Sequence, residues 1–352
     1  MIDKGSKEDE IFMQRCIDLA YNGLGKVAPN PMVGAVLVND GKIIGEGYHC
    51  QFGKAHAEVN AISNSEKRIG AIPENSTLYV NLEPCNHHGK TPPCTELIIN
   101  KGIKRIVIGT KDPNPEVFGK GIERLLNEDC EVIVGIKVEE CRSLNNAFIS
   151  YHEKHRPYII LKWAQSKDGY ISSGHQSEKR EWISNKYSRK FTHKWRSETQ
   201  AIIVGSNTIL YDNPLLNSRD WNQQNAIRVT IDKDLRLPKQ LNIFDQSIPT
   251  IVFTNKHSSL FDNLEYINID FSKNVIEQVL KELHIRNIQS MIVEGGTRLL
   301  NSFLINNYWD ESRVFVGNKT LGKGIKAPEL SGNYKLIETI ENDLFYVAVN
   351  HH

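Results

Sequence analysis

The spacing of apolar positions changes period repeatedly along the first part of the chain. Phe12, Cys16, Leu19 and Ala20 recur at helical spacing, which predicts a helix over 11–23. Apolar runs at Val33–Val38 and Lys42–Gly47 predict two strands. Helical and extended patterns then alternate. The pattern predicts a helix from His56 to about Ser63, a strand over Thr77–Asn81 and a helix from Cys94 to about Lys101. A strand over Arg105–Gly109, a helix near Gly121–Asn127 and a strand over Glu131–Val134 follow. Strands separated by helices imply a parallel or mixed sheet with helices on its faces.

A polar, basic stretch, Tyr151-His152-Glu153-Lys154-His155-Arg156-Pro157, breaks this pattern, and the apolar run Tyr158–Leu161 begins another. Strands are predicted near 158–163, 201–204, 227–231, 249–254, 291–294 and 344–349, with helices near 185–195, 274–284 and 297–306. Residues 219–225 are polar enough for a surface loop. The restart predicts two α/β domains, 1–150 and 156–352, and 352 residues suffice for two cores.

Charge narrows the class of ligand. With 43 basic and 42 acidic residues, the formal charge of +1 gives no strongly basic field for nucleic acid. Small molecules are therefore the expected partners. The first ten residues lack the apolar segment of a secretory signal, and no later stretch is apolar for long enough to span a bilayer. A soluble, cytoplasmic protein with reduced cysteines is expected, with no membrane partner. A homo-oligomer is compatible with this reading.

The chemistry concentrates in His56-Ala57-Glu58, Pro84-Cys85 and Cys94. One imidazole and two thiolates give zinc three protein ligands and leave a fourth position for water, activated as hydroxide for attack on an amine-bearing ring carbon. Glu58 is placed to move the protons. Singly, a cysteine is commonly a buried apolar residue and a histidine an ordinary polar one; the ordered set with proline before the first cysteine is a zinc-deaminase signature. Two other readings share parts of it. A structural zinc site would recruit His87 or His88 as fourth ligand, and a nucleic-acid base deaminase would use the same triad with the second domain as an accessory. The acid beside His56 argues against the first, and the balanced charge against the second. Cys16, Cys50, Cys130 and Cys141 lack ligand-like company and read as ordinary thiols. Farther on, Val293-Glu294-Gly295-Gly296-Thr297-Arg298 reads as a strand, a glycine turn and a helix start, a geometry that admits a phosphate.

The motifs form a wider set. Ala28-Pro29-Asn30-Pro31-Met32-Val33-Gly34, Gly45-Glu46-Gly47-Tyr48-His49, His56-Ala57-Glu58, Glu83-Pro84-Cys85 with eight residues before Cys94, and Lys111-Asp112-Pro113-Asn114-Pro115 occur in that order. Leu161-Lys162, Ser166-Lys167-Asp168-Gly169, Trp182-Ile183-Ser184, Asp212-Asn213-Pro214-Leu215 and Val293-Glu294-Gly295-Gly296 follow. Together they resemble the bifunctional riboflavin-biosynthesis family of diaminohydroxyphosphoribosylaminopyrimidine deaminases and 5-amino-6-(5-phosphoribosylamino)uracil reductases.

The resemblance implies a cytidine-deaminase-like α/β/α sandwich followed by a dihydrofolate-reductase-like α/β domain. It implies zinc on His56, Cys85 and Cys94, Glu58 as proton carrier, and substrate contacts from Asn30, His49, Lys90, Thr91 and Asp112. His49 and Lys90 would suit a phosphorylated sugar. In the second half it implies NADPH held by Ala164, Trp182, Thr208, Asp212 and the run Gly296, Thr297, Arg298, Leu299, Leu300, Asn301 and Ser302. Arg196, Leu216, Arg219 and Glu294 would face a ribosyl phosphate substrate, with Lys162 near the reacting carbon. Trp163 and Gln165 flanking Ala164, Arg180 before Trp182 and Asn217 depart from the family pattern, and the stretch from Ser172 to Arg180 is longer than it.

Overall fold

The computed structural model describes residues 6–87, 92–174, 182–221, 224–330 and 334–350, and the chain divides into two compact units, 1–155 and 156–352. The first unit contains α1 (Lys7–Ala20), β1 (Gly34–Asn39), β2 (Lys42–Tyr48), α2 (Ala57–Ile69), β3 (Thr77–Leu82) and α3 (Cys94–Asn100). It continues with β4 (Arg105–Thr110), α4 (Lys120–Leu126), β5 (Glu131–Val134), α5 (Val138–Leu144) and α6 (Asn146–Glu153). α1 starts earlier than the apolar spacing predicts because Ser6 and Asp9 form a capping box, Asp9 N donating to Ser6 Oγ at 3.1 Å and Ser6 N to Asp9 Oδ2 at 2.7 Å.

Among the described residues, the strands of this unit form one sheet in the order β2-β1-β3-β4-β5, with β1 antiparallel to both neighbours and β3, β4 and β5 parallel. Alternate residues serve opposite faces, as strand geometry requires. Val36, Val38, Tyr79 and Val107 pack with α1 and α5. Ala35, Leu37, Leu78, Val80, Ile106 and Ile108 pack with α2, α3 and α4. The result is a three-layer α/β/α sandwich. On the second face the helix approach is close: a Cβ at Gly47 would lie 2.4 Å from Ala61 N, and one at Gly45 2.3 Å from Ala61 O.

The second unit contains β6 (Tyr158–Gln165), β7 (Tyr170–Ser172), α7 (Lys186–Glu198), β8 (Ala201–Gly205), α8 (Ser206–Asp212), β9 (Ile227–Ile231), β10 (Thr250–Thr254) and β11 (Ser259–Phe261). After these come β12 (Leu264–Asn268), α9 (Val275–Ile285), β13 (Ser290–Glu294), α10 (Thr297–Ile305), β14 (Glu311–Val316), β15 (Ile325–Lys326), β16 (Lys335–Ile340) and β17 (Asp343–Val349). Its large sheet runs β11-β12-β10-β9-β8-β13-β6-β14-β17-β16 among the described residues. The strands from β12 to β14 are parallel, and antiparallel pairs close both edges. Ile159, Leu161, Trp163, Met291 and Val293 face α9 and α10. Ile160 and Ile292 face α7 and α8.

α5, α6, β7, α8, β11, β12, β14, β15 and β16 are not among the predicted elements. α6 also takes in Tyr151, His152 and Glu153, so the stretch expected as a connector is helical at its start.

Candidate active sites

In the first unit, β3 runs directly into the segment carrying Cys85, while His56 caps α2 and Cys94 opens α3. The ligand atoms of His56, Cys85 and Cys94 lie within 4.8 Å of one another. His56 Nδ1 is 3.3 Å from Cys94 Sγ and 3.5 Å from Cys85 Sγ. A tetrahedral zinc with ordinary bond lengths spaces nitrogen and sulfur by about 3.6 Å, so this donor set fits the ion. The electrostatics ready Cys85 for ligation, whereas His56 and Cys94 must each give up a proton to bind the ion. Cys85 is pushed down by hydrogen bonding from the Cys94 thiol and from His56, and accepts Cys94 N at 3.4 Å. His56 and Cys94 are pushed up, each first by its hydrogen bond with Cys85. Among the described residues no fourth protein ligand joins the cluster. His88, the other proposed fourth ligand, lies outside the described residues.

The cluster borders a cavity of about 270 Å³ that Asn30, His49, Glu58, Glu83, Asp112 and Phe148 also line. Glu58, buried in the first turn of α2, has its pKa raised by burial and then by Cys85. His49 Nδ1 lies 3.0 Å from the Ala55 carbonyl, which makes it the donor there, so Nε2 accepts from Asn30 Nδ2 at 3.1 Å. Burial lowers the His49 pKa. Both nitrogens of this buried imidazole are engaged, one by the Ala55 carbonyl and one by Asn30. Its fit is to hold Asn30. Burial pushes Asp112 up to about 7 despite the Asn114 N–H bonded to it. Lys90 and Thr91 lie outside the described residues.

Glu83 is a residue that the motif reading missed. Its buried carboxylate accepts from the backbone N–H groups of Asp112, Gly119, Gly121 and Ile122 at 3.0–3.3 Å, tying the end of β3 to the Asp112 segment and to α4. Its place directly before Pro84-Cys85 was the available signal.

In the second unit, the parallel register sets Lys162 of β6 beside Glu294 of β13. Both lie on the α7 side of the sheet, where Arg196 reaches them. Arg196 Nε and Nη2 donate to the two Glu294 oxygens at 2.8 Å, and Lys162 Nζ is 3.9 Å from Oε2. Burial lowers the Lys162 pKa; Glu294, though buried, is held at about 2 by Arg196 and Lys162. The Asn217 carbonyl accepts from Arg196 Nη1 at 3.3 Å and from His193 Nδ1 at 2.9 Å, and Asn217 Oδ1 accepts from the exposed Arg219 at 3.1 Å. Trp163 faces the opposite side, its Nε1 donating to Gln165 at 2.8 Å, so this departure from the family pattern leaves the Lys162 side untouched.

At the glycine turn, Gly295 has φ +113°, which demands glycine, whereas Gly296 has φ −66° and donates to Thr208 Oγ1 at 3.1 Å. Thr297, Arg298, Leu299, Leu300, Asn301 and Ser302 run along α10. Two expectations change here. Leu300 is fully buried in the core and Leu216 packs among Trp195 and Ile202, so neither side chain is open to a ligand. Asp212 is an exposed residue ending α8, with no hydrogen bond or ion pair to Lys162 or Glu294 among the described residues. Trp182 is exposed with the Arg189 guanidinium 4.6 Å from its ring centroid, and Ala164 is half-buried. Arg180 lies outside the described residues.

Residues 6–110 match the cytidine and deoxycytidylate deaminase zinc-binding region, and residues 157–343 match the RibD C-terminal domain. The riboflavin biosynthesis protein RibD of Aquifex aeolicus is 42% identical over 96% of this chain and 93% of its own length. That of Escherichia coli is 34% identical over 90% of this chain and 89% of its own. The crystal structure of a diaminohydroxyphosphoribosylaminopyrimidine deaminase/5-amino-6-(5-phosphoribosylamino)uracil reductase from Thermotoga maritima superposes with a TM-score of 0.87 at 39% identity. It covers 97% of this chain and 98% of that one. The first unit therefore has the cytidine-deaminase-like fold and the second the reductase fold of RibD. The chain belongs to the RibD family, the bifunctional deaminase and reductase enzymes of riboflavin biosynthesis, with zinc serving the first activity and NADPH the second.

Proposed function

We propose that residues 1–150 deaminate 2,5-diamino-6-(5-phosphoribosylamino)pyrimidin-4-one and that residues 156–352 reduce the ribosyl group of the product to ribityl. The observation that carries this reading is the cluster of His56, Cys85 and Cys94, with His56 and Cys85 lining one cavity together with Glu58, Asn30 and Asp112. When bound, zinc supplies a Lewis acid that acidifies water for attack on the amine-bearing carbon. Glu58 takes a proton from that water and gives it to the ring nitrogen, then takes the second proton from the new hydroxyl and gives it to the amine, which leaves as ammonia as the C–N bond breaks and the carbonyl forms. Asn30, fixed by His49, and Asp112, fixed by Glu83, orient the ring by hydrogen bonds. Lys90 and Thr91 are assigned to the substrate on the family pattern alone.

In the reductase half, NADPH supplies hydride to C1 of the ribosyl group. Lys162 delivers the accompanying proton, a task its lowered pKa suits. Arg196, Arg219 and Glu294 face the ribosyl phosphate substrate, Leu216 contributes backbone only, and the turn at Gly295 and Gly296 admits the cofactor with Thr208, Trp182, Asp212 and Ala164 around it. Thr297, Arg298, Leu299, Asn301 and Ser302 contribute through the exposed side of α10, and the buried Leu300 through backbone only. The reading places the enzyme in the cytoplasm, with small phosphoribosyl pyrimidines as its partners and neither nucleic acid nor membrane. No helix among the described residues is long and apolar enough to cross a membrane. The test is the product spectrum of the purified protein. The diaminopyrimidine alone should yield ammonia and the aminouracil, and NADPH should convert the latter to the ribityl product. Ammonia release from a cytosine oligonucleotide but not from the diaminopyrimidine would overturn the assignment.

A further inference from the structure

The turn Ser166-Lys167-Asp168-Gly169 follows β6 and takes no part in either reaction path above. We propose that Asp168 is a positioning residue for the NADPH turn, acting through the loop 317–327. This rests on the reading of Gly296 and α10 as part of the cofactor site. Asp168 Oδ1 accepts from Ser166 Oγ at 2.6 Å and from Leu321 N at 3.0 Å, and Oδ2 accepts from Gly322 N at 2.7 Å. The grip extends along the loop. Gly317 N donates to Gln165 O, Lys167 N to Lys319 O and Ala327 N to Gly169 O, each at 2.8 Å, and β15 pairs with β7. At its far end the loop meets the cofactor turn, because Thr297 Oγ1, on the first residue of α10, donates to the Lys326 carbonyl.

The loop carries Lys319, Lys323 and Lys326, all exposed. An anionic cofactor arriving at the positive end of α10 thus meets cations on a loop held in place by Asp168. The position calls for a carboxylate. Two adjacent backbone N–H groups need two acceptor oxygens, and an asparagine would turn an NH₂ group toward one of them.

The test uses the full-length protein, with NADPH binding followed by fluorescence titration and the reductase reaction by absorbance. Asp168→Asn should raise the NADPH Kd about tenfold, the ordinary consequence of losing one charge-assisted hydrogen bond and turning a donor on the other. Asp168→Glu, which keeps both acceptors, should recover at least half of that loss on a logarithmic scale. The kcat at saturating NADPH and ammonia release from the diaminopyrimidine should stay at the wild-type value. An unchanged Kd in Asp168→Asn, or a fall in kcat at unchanged Kd, would overturn the role of Asp168. Failure of the wild-type protein to bind NADPH would instead reject the cofactor reading on which the proposal rests.

Discussion

Glu294→Gln probes the second site through a number the structure supplies. The Glu294 side chain is 10% exposed, accepts two bonds from Arg196 at 2.8 Å and lies 3.9 Å from Lys162 Nζ. Burial opposes its charge, yet the two cations hold its pKa at about 2 instead of 4.5. At about 1.4 kcal/mol for each tenfold change in proton affinity, that depression corresponds to about 3 kcal/mol of folding free energy. Removing one partner of a buried ion pair costs about 3–5 kcal/mol, so two routes give the same scale. For a unit of this size a loss of about 3 kcal/mol lowers Tm by roughly 6–12 °C. A carboxylate with a depressed folded pKa contributes fully above its unfolded value, and the contribution disappears as pH falls through the folded one. The difference between wild type and variant should therefore be complete at pH 7 and shrink between about pH 5 and pH 2. All five tryptophans, at 163, 182, 195, 221 and 309, lie in the second unit, so their fluorescence during urea unfolding reports that unit alone. A difference that stayed constant from pH 7 to pH 3 would refute the reasoning, since it would trace the loss to packing and not to charge.

Glu58→Gln should retain one zinc per chain by elemental analysis while ammonia release falls by about two to four orders of magnitude, because one carboxylate carries every proton transfer. Cys85→Ser should lose zinc on dialysis against a chelator that leaves the wild-type protein loaded. Asp112→Asn should melt higher than wild type in metal-stripped protein above pH 7 and show no advantage near pH 4, measured by calorimetry. An aspartate pushed up to about 7 by burial costs the folded state more as pH rises through that window. Gly296→Val should weaken NADPH binding and spare deamination. A Cβ there meets only Thr208 Oγ1, at 3.6 Å, so the fold accepts it while the open side is narrowed for the cofactor.

The first unit was the more legible because its strands carry unbroken apolar runs and its site residues sit in contiguous motifs at helix starts. Its misses have physical causes. Asp9 is buried by bonds to Ser6, Tyr79 and Arg105, which no periodicity reports. α5 and α6 are short amphipathic helices whose polar residues hide the apolar spacing. In the second unit, β14 reads Glu-Ser-Arg-Val-Phe-Val with Ser312 fully buried and Arg313 across from Lys162, so its alternation is masked by polar side chains on a covered strand. β16 is an exposed edge strand with no apolar face to announce it. The trio Lys162, Arg196 and Glu294 comes from three distant segments: strand register pairs Lys162 with Glu294, and α7 brings Arg196 to them.

Gly45 and Gly47 touch nothing in the cavity, yet they fix the height at which α2 rides above β2. The Gly47 contacts fall on Ala57, Asn60 and Ala61, at the end of the helix that holds His56 and Glu58, whereas the cysteines are carried from β3 and α3. A methyl group at Gly47 would have to lift that end by about an ångström to restore an ordinary contact, and metal–ligand distances tolerate only about 0.2 Å. Catalysis is thus sensitive to missing atoms two layers from the metal. A hydrogen at position 47 acts as a spacer of fixed thickness, and drift toward alanine at that strand position would detune the imidazole against the thiols while leaving every residue of the cavity wall intact.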